Sequence, residues 1–202
     1  MDLFSPEPVI NLLPYNGTVH YFGKILSAQK GPYYFEKLLS TIEWKNDEAK
    51  VFGKHFITKR MAAWYGDNDF SYTYSNTTKH ALSWTKELLE LKALAEKISG
   101  HTFNSCLLNL YHNGEEGMGW HSDNERSLGL NTAIASMSFG AERKFMLKHK
   151  LSKQGVSVLL ESGSLLIMKD TTQTHWLHCL PKTKKVNKPR INLTFRTYNM
   201  EG

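Results

Sequence analysis

The spacing of apolar residues along the chain changes character once. In the first half it is helical. From Pro32, PYYFEKLLSTI puts Phe35, Leu38, Leu39 and Ile42 on one face, with a proline well placed at the start. SWTKELLELKALAEKISG does the same with Trp84, Leu88, Leu91, Ala95 and Ile98, and Gly100 supplies the stop. Both stripes predict helices that bury one side in a core. From Cys106 the segments shorten: SCLLNLYH, TAIASMSFG, RKFMLKH, VSVLL, SLLIMK, THWLHCL and INLTFRTY are β-rich and separated by Gly, Asn, Ser or charged breaks. Short strands at this even spacing predict a sandwich or barrel. Two helices ahead of such a sheet would cover one of its faces, so the fold class is α+β in a single domain. Between the halves, residues 48–76 are aromatic and basic with several turn residues. They predict hairpins and loops at the mouth of the sheet, where recognition residues gather.

Composition narrows the class. A length of 202 residues suits one domain, and 41% hydrophobic residues suffice for a core. A net charge of +6 makes a polyanionic partner plausible. Two cysteines, Cys106 and Cys179, make no disulfide framework. The N-terminus has no basic region followed by an apolar run, and no apolar stretch approaches the roughly 20 residues that span a bilayer. These features predict a soluble monomer in a reducing compartment with no membrane partner. The short N-terminal arm looks bacterial, which predicts a cytoplasmic protein, or a nuclear one in a eukaryote.

Candidate chemistry begins in GMGWHSDNERS, residues 117–127. His121 and Asp123 point to the same side of an extended chain. An imidazole and a carboxylate, joined by a second histidine, make the facial triad that holds non-haem Fe(II) and leaves positions open for O2 and a co-substrate. The second histidine is His175 or His178 in THWLHCLP, and periodicity does not choose between them. A lone His-x-Asp pair among nine histidines is a weak signal. The last strand strengthens it. In PRINLTFRTYN, Arg190, Asn192, Thr194 and Arg196 share one parity, while Ile191, Leu193 and Phe195 share the other. Guanidinium groups bind carboxylates through paired hydrogen bonds, so two arginines in one lumen suit a dicarboxylate. Asn109 and Tyr111, on one face of LLNLYH, could bond to the same ligand.

NLYHNGEEGMGWHSDNE, IASMSFG, GSLLIMK, THWLHCLP and PRINLTFR resemble, in order and spacing, the AlkB family of Fe(II)/2-oxoglutarate dioxygenases. VFGKHF and YGD–YTYS resemble the branch that includes the human homologues 2 and 3, which demethylate DNA and RNA. The resemblance covers roughly residues 48–198. It implies a double-stranded β-helix, or jelly roll, over 105–198, preceded by an N-terminal arm and helix over 1–47. Residues 48–80 would form a nucleotide-recognition hairpin lid. It implies His121, Asp123 and His178 as the catalytic metal ligands. It implies Arg196 on the distal carboxylate of 2-oxoglutarate and Arg190 nearer the iron-bound carboxylate and Asp123. Asn109, Tyr111, Asn192 and Thr194 would complete that pocket.

The implied reaction uses Fe(II), 2-oxoglutarate and O2 to hydroxylate N-methyl groups on 1-methyladenine and 3-methylcytosine in DNA, duplex or single-stranded, with RNA as a further substrate. Formaldehyde and succinate leave. Phe52 would fill the gap left by a flipped base, Gly53 would allow the tight turn, and Lys54 would reach a phosphate. Tyr72, Thr73 and Tyr74 would line the base pocket, and Glu125 would favour a cationic base. Asn124 stands where duplex-acting relatives carry an acid, so it marks a substrate-side difference. The basic run at Lys182, Lys184, Lys185 and Lys188 would meet phosphates. A dioxygenase acting on a protein or lipid is the alternative, and the aromatic finger and basic run argue against it.

Overall fold

The computed structural model describes residues 9–51, 54–68, 70–74 and 77–199, without the side chains of 47–51, 54–56, 72–74 and 77–79. The elements run β1 (Thr18–Lys24), α1 (Lys30–Thr41), β2 (Lys45–Val51), β3 (Lys54–Gly66), β4 (Ser71–Tyr74), β5 (Thr77–His80), β6 (Leu82–Ser83) and α2 (Lys86–Ser99). They continue with β7 (Ser105–Tyr111), β8 (Met118–His121), β9 (Ile134–Gly140), β10 (Arg143–His149), β11 (Gly155–Leu160), β12 (Ser164–Lys169), α3 (Thr172–His175), β13 (Trp176–Leu180) and β14 (Arg190–Arg196).

From β7 onward, the strands alternate between two sheets, apart from the β10–β11 hairpin within the smaller one. The larger has the order β1-β12-β9-β14-β7-β3-β2, with β6 beside β3, and the smaller has the order β11-β10-β13-β8. Every pairing among β7–β14 is antiparallel. Two facing four-stranded sheets wound in this alternation form a jelly roll.

The period-two pattern of β14 explains how the larger sheet is used. Ile191, Leu193 and Phe195 are fully buried and join Cys106, Leu108, Met137 and Phe139 on the face covered by α1 and α2. Arg190, Asn192, Thr194 and Arg196 face the other way, into the lumen between the sheets. β14 lies between β9 and β7, so its polar face is interior and not the solvated face of an edge strand.

Both predicted helices form. α2 begins where the Thr85 side chain accepts from the N–H of Leu88, and it ends at Gly100 in the left-handed region, φ 71°. Leu88, Leu91 and Ala95 are its buried stripe. Trp84 precedes the helix and stacks on Phe195, 6.4 Å between ring centres. The Tyr34 hydroxyl donates to Glu90 at 2.8 Å and links the helices.

The segment 48–76 forms hairpins, as its turn residues predict, and one of its strands also extends into the larger sheet. β3 is long, and its second half, Met61–Gly66, pairs with β7 as part of the larger sheet. β4 and β5 form a separate two-stranded pair. A smaller apolar cluster joins Val19, Ile134 and Leu166 of the larger sheet to Leu147 and Trp176 of the smaller one, with Leu13 beside them.

Candidate metal and co-substrate site

β8 and β13 carry the ligands. His121 and His178 are directly opposed in the ladder, which brings their ring centres to 4.2 Å. Asp123 follows two residues later, with Oδ1 3.7 Å from His121 Nε2. One donor atom from each of the three lies within 4.8 Å of the others, and among the described residues no other His, Cys, Asp or Glu set does this. His175 stands apart in α3. THWLHCL is therefore not one continuous strand: its first part is a helical turn, so strand parity never applied across both histidines.

Electrostatics prepare the ligands. Burial pushes His178 down to about 3, with Asp123 only partly opposing, so its imidazole is neutral at physiological pH and open to a metal. Burial alone would raise Asp123, but Arg196, His178 and His121 together hold its carboxyl below the usual range. His121 Nδ1 lies 2.9 Å from the Gly119 carbonyl. A carbonyl only accepts, so Nδ1 carries a proton and Nε2 is the ring atom that faces Asp123. Two imidazoles and an anionic carboxylate fit Fe(II), and they would hold it.

β8 has few ladder bonds, and two glycines let neighbouring chain close in around it. A side chain at Gly117 would run into the Leu180 carbonyl, and one at Gly114 into the Thr183 carbonyl. Arg143, 2% exposed, donates to the carbonyls of Asn113, Gly114, Glu116 and Pro181. It ties the loop before β8 to the end of β13.

The ligands open onto a cavity of about 650 Å3. Its lining includes Asn109, Tyr111, Glu125, Arg190, Asn192, Thr194 and Arg196. Arg190 is 2% exposed, donates to Ser138 Oγ at 2.9 Å and Asn192 Oδ1 at 2.7 Å, and lies over the Tyr111 ring. Its Nε has no partner, and burial lowers its pKa to about 10. It thus stays charged at neutral pH, and no described carboxylate pairs with it. Asn192 in turn donates to Thr194 Oγ1 at 2.8 Å.

Arg196 does something different: its Nη2 donates to Asp123 Oδ2 at 2.8 Å. This corrects the placement expected from the resemblance, which put Arg190 nearer Asp123. Arg196, not Arg190, sits against Asp123, because the register of β14 puts Arg190 opposite Tyr111 and Gly140, away from the ligands.

Asn124 is exposed and outside the cavity lining. Phe52 and Gly53 lie outside the described residues. So do the side chains of Lys54, Tyr72, Thr73 and Tyr74, whose backbones belong to β3 and β4. Lys182, Lys184, Lys185 and Lys188 are exposed. Sequence reasoning missed Ser136 and Ser138, although two serines two apart in apolar IASMSFG are a readable sign of a polar lumen. It also missed Arg60, Met118, Phe145 and Met168 in the lining, and Arg143 and Gln173 behind it. These carried no motif.

A jelly roll that opens a His/Asp/His set onto a cavity with a buried, unneutralised guanidinium defines the class of non-haem Fe(II) oxygenases that use a dicarboxylate co-substrate. Residues 18–196 match the family model described as the 2OG-Fe(II) oxygenase superfamily. The chain is 40% identical over 173 residues to bovine "DNA oxidative demethylase ALKBH2", covering 80% of this chain and 62% of that protein. It is 37% identical over 203 residues to human "Alpha-ketoglutarate-dependent dioxygenase alkB homolog 3", covering 96% of this chain and 68% of that one. The solved structure of OsALKBH1 superposes with a TM-score of 0.61 over 95% of this chain and all of that one, at 16% identity, a likeness of fold. The chain belongs to the AlkB family of Fe(II)/2-oxoglutarate-dependent dioxygenases. It spans about 60% of the length of the bovine ALKBH2 and alkB homolog 3 proteins it matches. Among the described residues, no helix is long and apolar enough to cross a membrane.

Proposed function

We propose that this chain is an oxidative demethylase of N-alkylated bases, 1-methyladenine and 3-methylcytosine, in DNA. The observation that carries the reading is the joint placement of His121, Asp123 and His178 with Arg190 and Glu125 around one cavity. Similarity to ALKBH2 and alkB homolog 3 supports a nucleic-acid substrate. When bound, Fe(II) with 2-oxoglutarate and O2 supplies the oxidation that turns an N-methyl into an N-hydroxymethyl group, which leaves as formaldehyde, with succinate and CO2 as the other products.

The protein's part is to bind and orient. Arg190 clamps the distal carboxylate of 2-oxoglutarate, with Tyr111, Asn109, Asn192 and Thr194 around it. Arg196 fixes the Asp123 carboxylate, so that one oxygen stays turned towards the ligand pair. Glu125, on the loop just past Asp123, offers negative charge to a base made cationic by methylation. The cavity volume suits a small co-substrate and a base together. The exposed lysines at 182, 184, 185 and 188 meet the phosphate backbone without reading sequence. Phe52 is the side chain assigned to the gap in the duplex, with Tyr72 and Tyr74 against the flipped base.

The test is formaldehyde and succinate release from an oligonucleotide with one 3-methylcytosine, single-stranded and paired. Release that requires both Fe(II) and 2-oxoglutarate supports the reading. Binding of both with no turnover of either strand form would overturn the substrate. In the same assay, Phe52→Ala should lose more activity on duplex than on single strands, and equal loss on both would remove Phe52 from that role.

A further inference from the structure

We propose that Gln173 is a positioning residue for the metal site, holding Asp123 by its backbone and coupling it to the segment that carries His178. The inference rests on the Fe(II) reading above. It begins with a weakness in the fold. β8 is an edge strand of four residues, it pairs among the described residues with β13 alone, and its register shifts between Leu180 and His178. His121 therefore closes a short strand held by one ladder, and Asp123 lies beyond that ladder altogether.

Gln173 supplies the missing bond. Its Oε1 accepts from the Asp123 N–H at 2.9 Å, across 50 residues of sequence. Both residues are buried, 6% and 5% exposed. A buried amide is costly unless its polar atoms are used. Here the oxygen is committed to the backbone of a metal ligand, and the Nε2 lies 3.6 Å from the Met168 sulfur.

A second bond closes the bracket. Lys150 Nζ donates to the Gln173 carbonyl at 2.9 Å and to Ser122 Oγ at 3.2 Å. Asp123, Gln173, Lys150 and Ser122 thus form a ring around the middle of the His-x-Asp motif. Arg196 restrains the Asp123 carboxylate from one side, while Gln173 restrains its backbone from the other. Because Gln173 lies in α3, immediately before β13, any shift of one arm of the site is felt by the other. A plain brace for α3 would not need its acceptor aimed at a ligand.

Cobalt(II) is the probe, because its visible absorption reports ligand number and geometry without turnover. Gln173→Met removes the acceptor at nearly equal volume, and Gln173→Glu keeps an oxygen there. In Gln173→Met, the cobalt Kd should rise about 10- to 100-fold, the range typical of groups that orient metal ligands. Its visible bands should shift, while the metal-free melting temperature falls by about 2–10 °C, the cost of one unpaired buried N–H. Gln173→Glu should restore affinity to within about threefold of wild type. Unchanged affinity and bands in Gln173→Met would overturn the inference. So would a loss shared equally by Gln173→Glu. If Gln173→Met does not fold, Lys150→Met opens the ring from outside and should weaken cobalt binding; an unchanged Kd there overturns the coupling. Wild-type binding that survives His178→Ala would instead sink the Fe(II) reading, and the inference with it.

Discussion

Replacing Arg190 with Met tests the carboxylate clamp proposed for it. The guanidinium is 2% exposed, its Nε has no partner, and its acceptors are a serine and an asparagine. Its charge therefore waits for a carboxylate. A charge-assisted hydrogen bond contributes about 1.5–3 kcal/mol, so losing a two-bond clamp should cost about 3–6 kcal/mol, or two to four orders of magnitude in Kd. Stability should respond in the other direction. Removing a desolvated charge in favour of an apolar side chain of similar reach is often neutral or stabilising. Asn192 Oδ1 keeps a partner in Ser136 Oγ at 3.1 Å. The metal-free variant should therefore melt within a few degrees of wild type. The assay is calorimetric titration of the Mn(II)-loaded protein with 2-oxoglutarate, in the absence of substrate. A Kd within about fivefold of wild type, in a folded variant, would refute the clamp, since one lost ionic hydrogen bond already exceeds that. Arg196→Met gives the contrast: it frees Asp123 and should weaken Mn(II) binding first.

His178→Ala should abolish Mn(II) binding and His175→Ala should retain it, measured by titration of free Mn(II); metal loss in His175→Ala would refute the ligand assignment. The metal-free protein should become acid-labile from pH 6.5 downwards. Burial favours neutral His178, so the unfolded chain binds more protons between pH 6.5 and about 3, and stability falls as pH drops through that window. At pH 5 the loss from this group is about 2 kcal/mol. Asp123, with its pKa lowered, adds a loss only below pH 3.8, as pH falls through its folded value. Urea midpoints at pH 7 and pH 5 check this, and His178→Leu should flatten the slope. Arg143→Met strips the partner from four carbonyls and should destabilise by about 3–5 kcal/mol in urea unfolding, far more than Arg190→Met.

Much of this was legible because it depends on local periodicity. The stripe Leu88, Leu91, Ala95 and the alternation in β14 survive folding because each element buries one face. The three ligands were legible only with the family motif, since periodicity left His175 and His178 equal. What broke that tie in the structure is a helical turn over Thr172–His175, set by tertiary hydrogen bonds such as Lys150 N–H to the His175 carbonyl. β8 was not read as a strand because its glycines and polar neighbours look like a turn. Its pairing partner lies some 60 residues on, and no local pattern encodes that. The neighbour of Asp123 was misplaced for a similar reason: parity says both arginines face inward, while register decides which one meets Asp123.

The placement of His121 at the end of a strand paired along one edge, with Asp123 just past it, has a kinetic consequence. The barrel is held by the ladders of the larger sheet, and the ion by a strand outside them. Opening β8 requires parting one short ladder, while β7, β9, β12 and β14 stay zipped. A chelator should therefore extract the ion at the pace of this local breathing and leave the vessel intact to be refilled. Amide exchange in β8, measured with and without metal, would show the ion acting as the clasp on that single flap.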